Sequence, residues 1–282
     1  MSSTGNGTIR TPNAGTGNRA VAKRSKIAVA HPAGQEPLNS SYFPGQHQSI
    51  RFETMQRRSL YKYYSDQRWA DDFLNGKLLF RSLSYFRDYE DKQVREDQKE
   101  GTSVFRPSGG LVINNLAQGT TFVAPEWGFE SSAKHEEIFV FCLSRSHTEE
   151  RRRRFNAVAC VEILNIGAFC RRVEAALPPG ATFPAQAGRP PQIGHRVTYY
   201  PETQSGPRWA LPEMIATSKL DAYAWQDEFR LVFSLTDALG FEKVQTRLVH
   251  RNNPREAAKP AEHHCYEVSA QSMRDICRLH KF

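Results

Sequence analysis

Three short segments of the sequence combine apolar and aromatic residues with a few polar residues of types that can bind a ligand. Their composition predicts β-strands, in which alternate side chains point to opposite faces. The first carries a lysine, the second an arginine and two serines, and the third a glutamine and a glutamate. Cationic groups suit phosphate, and a carboxylate accepts hydrogen bonds from hydroxyl groups. The segments are LYKYYS at 60–65, LLFRSLSYF at 78–86 and YAWQDEFRLVF at 223–233.

The spacing inside the third segment predicts a shared face for two of its polar residues. Gln226 and Glu228 are two positions apart, and residues i and i+2 of a strand point the same way. If the three segments build one site, we expect Lys62, Ser82 and Glu228 to converge on a single cleft of pocket size.

In this order the segments resemble the signature strands of the Arg-Ser-Glu class of mono-ADP-ribosyltransferases, enzymes that split NAD and transfer ADP-ribose. KYYS at 62–65 corresponds to a pattern like R-x-Y-T, with Lys62 where that class has arginine. FRSLS at 80–84 corresponds to an aromatic residue, any residue, then Ser-Thr-Ser, with Leu83 at the threonine. QDE at 226–228 matches the third pattern, Glu/Gln-x-Glu.

The resemblance implies roles for these residues, with NAD as the substrate. Glu228 would hydrogen-bond the 2′-hydroxyl of the nicotinamide ribose and stabilise an oxocarbenium-like transition state, as carboxylates do in glycosidases. Gln226 would position the acceptor, an unknown protein or nucleic acid, whereas water as acceptor would make the enzyme an NAD glycohydrolase. Ser82 would fix the rotamer of Glu228, and Arg81 could bind the diphosphate. The implied NAD-binding residues are Lys62, Tyr64, Arg81, Ser82 and Ser84.

A second resemblance, over roughly residues 60–235, is to a widespread bacterial family of unknown function that could be a divergent branch of the first. It rests on the first two segments, on Cys142-Leu143-Ser144 in a middle strand, and on a late K…W-x-x-E-x-R block. That block is matched by Lys219, Trp225, Glu228 and Arg230. The charged stretch 86–101 also belongs to this pattern, and its mixed charges predict an exposed helix or loop outside the core, or a lid over substrate.

The fold class predicted for residues 58–282 is α+β: a mostly antiparallel split sheet of ADP-ribosyltransferase type with a few helices. Strands outnumber helices and lack the regular alternation of a parallel doubly wound fold. A polar helix or loop should carry Lys219, and RRRR at 151–154 suggests a basic turn, a nucleic-acid contact or a localisation signal. Further strands are predicted at 111–116, 120–125, 137–144, 157–163 and 196–202, and helices at 66–74 and 165–177.

Residues 1–57 form a polar leader rich in Ser, Thr, Gly, Asn and Pro. Such a composition buries too little apolar surface to offset its ordering entropy, so we expect disorder. The leader resembles that of a type III secreted effector, which would make the protein a toxin or virulence factor acting in a host cell. The alternatives are an ordinary disordered extension of a bacterial cytoplasmic protein and a basic arm built on Lys23, Arg24 and Lys26. The apolar runs in the leader are too short for a secretory signal peptide.

Charge and cysteine content narrow the remaining function classes. The formal net charge of +8 favours an anionic partner. No apolar run is long enough to cross a bilayer, so we expect a soluble protein, and the five cysteines show no metal-ligand spacing. His263-His264-Cys265 is a poor metal site because neighbours in an extended segment point apart. The alternatives are a nucleic-acid-binding or defence protein, and a metal-dependent nucleotide-processing enzyme using Glu90, Asp91 and Glu100.

Overall fold

The computed structural model describes residues 59–88, 99–185, 189–206, 211–252 and 263–282. The predicted leader therefore lies outside the described residues, as do Glu90 and Asp91. The described chain is mixed, with mostly antiparallel strands and few helices, and is compatible with the predicted α+β class. Its contacts divide it into a small unit, which contains residues 112–122, and a larger unit with the rest of the described residues.

The elements alternate irregularly along the chain. The described residues form five α-helices: α1 (Gln67–Leu74), α2 (Leu83–Asp88), α3 (Glu149–Arg154), α4 (Ile166–Ala176) and α5 (Pro212–Ala216). They also include 3₁₀ helices at Asp221–Gln226 and Phe241–Lys243. The strands are β1 (Leu60–Tyr64), β2 (Lys77–Ser82), β3 (Thr102–Phe105), β4 (Leu111–Asn115), β5 (Thr120–Ala124), β6 (Trp127–Ser132), β7 (Ile138–Ser144), β8 (Ala159–Ile163), β9 (Gly194–Arg196), β10 (Thr198–Tyr200), β11 (Ser218–Leu220), β12 (Glu228–Ser234), β13 (Gln245–His250), β14 (Cys265–Ser269) and β15 (Cys277–Lys281).

The main sheet has eight strands and opens beside its central strand, β7. One path through it runs β14-β2-β7-β1-β8-β15, while β12 pairs with both β7 and β9. β12 pairs with β7 over the whole length of β7. A strand has two edges, so β2 and β1 share the other edge: β2 pairs with Phe139 and Val140, and β1 with Ser144. Between these two pairings β1 and β2 diverge, and the sheet splits there.

The connection between β1 and β2 follows from local sequence. Asp66 caps α1 by accepting a hydrogen bond from the backbone N–H of Arg68 at 2.8 Å, as N-cap carboxylates do. Gly76 ends the turn with a φ of +89°, where a Cβ atom would lie 2.2 Å from the carbonyl oxygen of Ala270. Only glycine fits a left-handed turn with so close a backbone. Phe73, the main buried residue of α1, packs on Phe141 of β7.

A three-stranded sheet, ordered β13-β6-β3, contains a buried carboxylate that is surrounded by cationic side chains. The carboxylate of Glu130 on β6 is buried and accepts from Lys99, from Arg247 at 2.9 Å and from Arg106 at 3.3 Å. We call these four residues the Glu130 cluster. Burial opposes ionisation of Glu130, but hydrogen bonds from Lys99 and Arg247 lower its pKa.

The small unit is described by its own hairpin. β4 and β5 pair only with each other among the described strands. The turn between them is capped by Asn115, whose side-chain oxygen accepts from the backbone N–H groups of Ala117 and Gln118. The hairpin exposes apolar side chains such as Leu116 and Phe122.

Most predicted elements are present, and four differ from the prediction. The strand predicted at 196–202 is two short strands, β9 and β10, which are separated at Val197. The segment 78–86 is not one strand, because β2 ends at Ser82 and α2 begins at Leu83, which is fully buried. The segment 223–233 is a strand only from Glu228 onward. Lys219 lies on β11, which pairs in parallel with β10, rather than on a helix or loop.

Two charged stretches also differ from expectation. The block 86–101 was expected outside the core, yet its described ends include Arg87 and Glu100, both buried. Mixed charges predict exposure only when they lack buried partners, and Glu100 has one in Arg230. The RRRR stretch is helical, because Thr148 caps α3 and Glu149 and Glu150 form ion pairs with arginines one turn later.

Candidate functional site

A cleft of about 700 Å³ lies where the main sheet splits. It is lined by side chains from β1, β2 and β7, and on one side by β11 and the start of β12. Aromatic rings form part of the wall, among them Tyr61, Tyr64 and Tyr85. The polar side chains that line it include Lys62, Arg81, Lys219, Gln226 and Glu228, together with the charged Asp72, Lys77 and Glu267.

The carboxylate of Glu228 is held on both oxygens. Oε1 accepts from Nζ of Lys219 at 2.8 Å, and Oε2 accepts from Nε of Arg230 at 2.8 Å. The backbone N–H of Glu228 donates to the hydroxyl of Tyr199 at 2.8 Å. Only 9% of the side chain is exposed, so its rotamer is fixed by these contacts.

Arg230 does not itself line the cleft. It contacts Glu228 and also pairs with a second carboxylate. Its two terminal nitrogens donate to the two oxygens of Glu100 at 2.7 and 2.9 Å, and one also donates to the carbonyl of Ala216. This two-point geometry is the strongest form of a carboxylate–guanidinium pair. Both side chains are 1% exposed.

Lys219 links the two carboxylates with the carboxamide of Gln226. Its Nζ donates to Oε1 of Gln226 at 2.8 Å and lies 3.4 Å from Oε2 of Glu100. Two carboxylates and two cationic side chains are therefore buried together, so their formal charges sum to zero. We call Glu100, Lys219, Gln226, Glu228 and Arg230 the Glu228 network.

The electrostatic balance keeps Glu228 and Arg230 ionised. Burial alone would raise the pKa of Glu228, but the charges of Arg230 and Lys219 outweigh it and lower the pKa to about 2. Burial likewise disfavours charge on Arg230, but Glu100 and Glu228 raise its pKa well above the ordinary value. Because isolated buried charges are very costly, each member depends on the others.

A left-handed residue, not strand alternation, brings Gln226 and Glu228 together. Gln226 ends the 3₁₀ helix, and Asp227 has φ 46° and ψ 56° before β12 begins. The Asp227 carboxylate accepts from Ser146 and pairs with Arg145, which stabilises this conformation. The period-two explanation is therefore wrong, although both side chains do reach Lys219.

The opposite wall carries the first two segments. Nζ of Lys62 donates to the carbonyl oxygen of Cys142 at 2.8 Å, on the edge of β7 that the split leaves open, and lies 4.4 Å from the centre of the Phe141 ring. The guanidinium of Arg81 lies 4.6 Å from the centre of the Tyr85 ring. Burial raises the pKa of the Cys142 thiol to about 11, so this cysteine is a protonated, weak nucleophile at neutral pH.

Ser82 and Ser84 are not among the residues that line the cleft. Both are fully buried, and their hydroxyl oxygens are 2.7 Å apart. Ser82 also accepts from the backbone N–H of His264 at 3.1 Å and, within the described chain, does not contact Glu228. The expected convergence thus includes Lys62 and Glu228 but not Ser82. These serines hold the end of β2 against the segment before β14.

The sequence alone does not indicate that Glu100 and Arg230 are partners, nor that Tyr199 contacts Glu228. One signal was present: Arg230 lies inside the apolar run EFRLVF at 228–233, and a buried arginine requires a carboxylate partner. Among the described residues, no three His, Cys, Asp or Glu side chains group as metal ligands. Among the described residues that line the cleft, Lys62, Lys77 and Arg81 could bind an anionic cofactor or substrate.

Comparisons with known proteins gave no relative: no family model, no curated protein and no solved structure matches the chain. No helix within the described ranges is sufficiently long and apolar to span a membrane.

Proposed function

We propose that this protein cleaves the nicotinamide–ribose bond of NAD and transfers ADP-ribose to a macromolecular acceptor, or to water. One observation supports this most: Lys62, Arg81, Gln226 and Glu228, from three distant segments that resemble the signature strands of ADP-ribosyltransferases, line one cleft. Chance motif matches on unrelated strands would have no reason to meet there.

The size and lining of the cleft suit a dinucleotide. Its volume of about 700 Å³ lies within the range of ordinary small-molecule sites. Arg81, Lys62 and Lys77 are lining cations that could bind the diphosphate, with arginine able to bind two phosphate oxygens at once. The aromatic rings of Tyr61, Tyr64 and Tyr85 offer apolar surface against which a base or a nicotinamide ring can stack.

The carboxylate of Glu228 suits the chemistry because it is ionised and oriented. As the glycosidic bond breaks, its electron pair leaves with nicotinamide, and positive charge develops on the ribose. A fixed carboxylate beside the ribose stabilises that charge. The acceptor nucleophile then forms the new bond to the ribose and loses its proton. Gln226, held by the same lysine, is suited to orient the acceptor.

The test is nicotinamide release from NAD by the purified full-length protein, with and without cell lysate as acceptor source. We expect release by the wild type and a loss of about a hundredfold in Glu228→Gln, a typical effect of removing one preorganised electrostatic group. Glu130→Gln is the matched control, because it neutralises another buried carboxylate held by cations, outside the cleft. Its specific activity should equal that of the wild type.

Two results would overturn the proposal. The first is no nicotinamide release by the wild type under either condition. The second is release that survives unchanged in Glu228→Gln. Labelled NAD then distinguishes the two products: label on macromolecules indicates transfer, and free ADP-ribose alone indicates hydrolysis.

A further inference from the structure

The serine expected to hold the proposed catalytic carboxylate does not reach it, yet that carboxylate is held. Ser82 bonds to Ser84 and to the backbone before β14, whereas Glu228 bonds to Lys219 and Arg230. We infer that Lys219 is the positioning residue of the cleft, orienting both Glu228 and Gln226 in place of the serine. This inference rests on the proposed function and assigns a role that neither motif resemblance gives to Lys219.

The contacts of Lys219 differ from those of Arg230 in a way that matters for positioning. Lys219 lines the cleft and touches both polar groups proposed to act on the ligand, Glu228 and Gln226, at 2.8 Å each. Arg230 does not line the cleft, and its other side-chain contacts are to Glu100 and Ala216. Removing Lys219 would therefore take one hydrogen bond from each of the two proposed groups at once.

Lys219 is itself fixed by the fold. It lies on β11, which pairs in parallel with β10 so that Tyr199 is its direct neighbour. Tyr199 accepts from the backbone N–H of Glu228. The β10–β11 pair thus holds Glu228 twice, at its backbone through Tyr199 and at its side chain through Lys219. With 5% of its side chain exposed, Lys219 has little freedom to adopt other rotamers.

Charge is the second part of the role. The titratable or charged groups facing Glu228 are Lys219, Arg230, Tyr199 and Cys142, with Glu100 behind Arg230. Without Lys219, the single cation Arg230 would face two carboxylates, and one negative charge would be left uncompensated. A buried carboxylate in that position takes up a proton more readily.

The experiment compares Lys219→Met with Lys219→Arg, and uses Lys99→Met as the matched control. Lys99 also pairs with a buried carboxylate, Glu130, but lies outside the cleft. We expect Lys219→Met to lower kcat for nicotinamide release about tenfold or more while KM changes less than threefold. The acid limb of its kcat profile should move up by about one to three pH units, the usual influence of an adjacent opposite charge.

Lys219→Arg keeps the positive charge, so the acid limb of its kcat profile should lie at the wild-type pH. Its kcat should be higher than that of Lys219→Met. Lys99→Met should leave kcat, KM and the acid limb at their wild-type values. The inference is overturned if Lys219→Met behaves like Lys99→Met, or if it raises KM alone, or if the acid limb does not move.

A measurement without turnover separates this inference from the proposed function. The carboxyl carbon of Glu228 can be titrated by ¹³C NMR in the wild type, Lys219→Met and Lys99→Met. We expect a higher pKa for Glu228 in Lys219→Met only. If the wild type releases no nicotinamide, the proposed function fails while this titration still tests the positioning of Glu228; equal titration in all three proteins overturns the inference.

Discussion

The Glu228 network and the Glu130 cluster are two solutions to the same problem, a carboxylate that must lie inside a folded chain. Glu130 is surrounded by three cations that reach solvent: the side chains of Lys99, Arg106 and Arg247 are 22%, 27% and 55% exposed. In the Glu228 network every charged side chain is less than 10% exposed, and two acids meet two bases.

The solvent exposure of the cations differs between the two regions, and it controls how much unbalanced charge each region tolerates. Where cations reach water, solvent screens them, and an excess of positive charge around one carboxylate is tolerated. Where every charged side chain is nearly buried, the charges must balance and each hydrogen-bonding position needs a partner. The first arrangement joins the strands of a small sheet. The second fixes side chains that line a cleft, and fixed geometry of this kind would serve the proposed reaction.

Among the variants of the two regions, we expect loss of Arg230 to have the largest effect on the free energy of unfolding. Among the described residues, Arg230→Met leaves Glu100 and Glu228 with Lys219 as their one cationic partner. We therefore expect the free energy of unfolding to fall by about 3–5 kcal/mol, the usual result of breaking a buried ion pair. Urea denaturation of the purified variant measures it. A loss below about 1 kcal/mol would mean that the network is not a closed buried unit.

A smaller effect should appear as a pH dependence of stability. The folded pKa of Glu228 is about 2, below the ordinary 4.5, so its ionised form stabilises the fold above about pH 4.5. That contribution is lost as pH falls from 4.5 toward 2. The difference in unfolding free energy between the wild type and Glu228→Gln should therefore shrink over this range. A difference that stays constant with pH would contradict the assignment.

The smallest effect is expected at the exposed edge of the Glu130 cluster. Arg247→Met removes a cation whose side chain is 55% exposed, while Lys99 and Arg106 still hold Glu130. We expect a loss of about 0–1 kcal/mol in urea denaturation, reduced further by salt. A loss as large as that of Arg230→Met would remove the distinction between the two regions.

Much of the fold that surrounds the site could be predicted from local sequence. The strand at 60–65, the helix after it and its end at Asn75-Gly76 follow from apolar composition, an aspartate cap and a glycine turn. The strand EIFVFCLS at 137–144 is nearly as predicted. Local patterns fail where long-range contacts outweigh them, as at Leu83, where a buried side chain begins a helix inside a segment of strand-like composition.

The candidate site was predictable in part, for the same reason. Lys62, Arg81, Gln226 and Glu228 were selected by residue type and motif order, and they do line one cleft. Ser82 matched its motif equally well but points into the interior toward Ser84. A motif specifies residue types along a strand, whereas the split beside β7 decides which of them face the cleft.

Local sequence therefore accounts for many of the strands and helices around the site and for the polar residue types among them, because capping, turns and apolar content act over a few residues. Only the tertiary structure decided which charges meet. Glu100 and Arg230 are 130 residues apart, and no local property of either identifies the other. Their pairing arises because two charges buried in the same interior are stable only when the fold brings them within hydrogen-bonding distance.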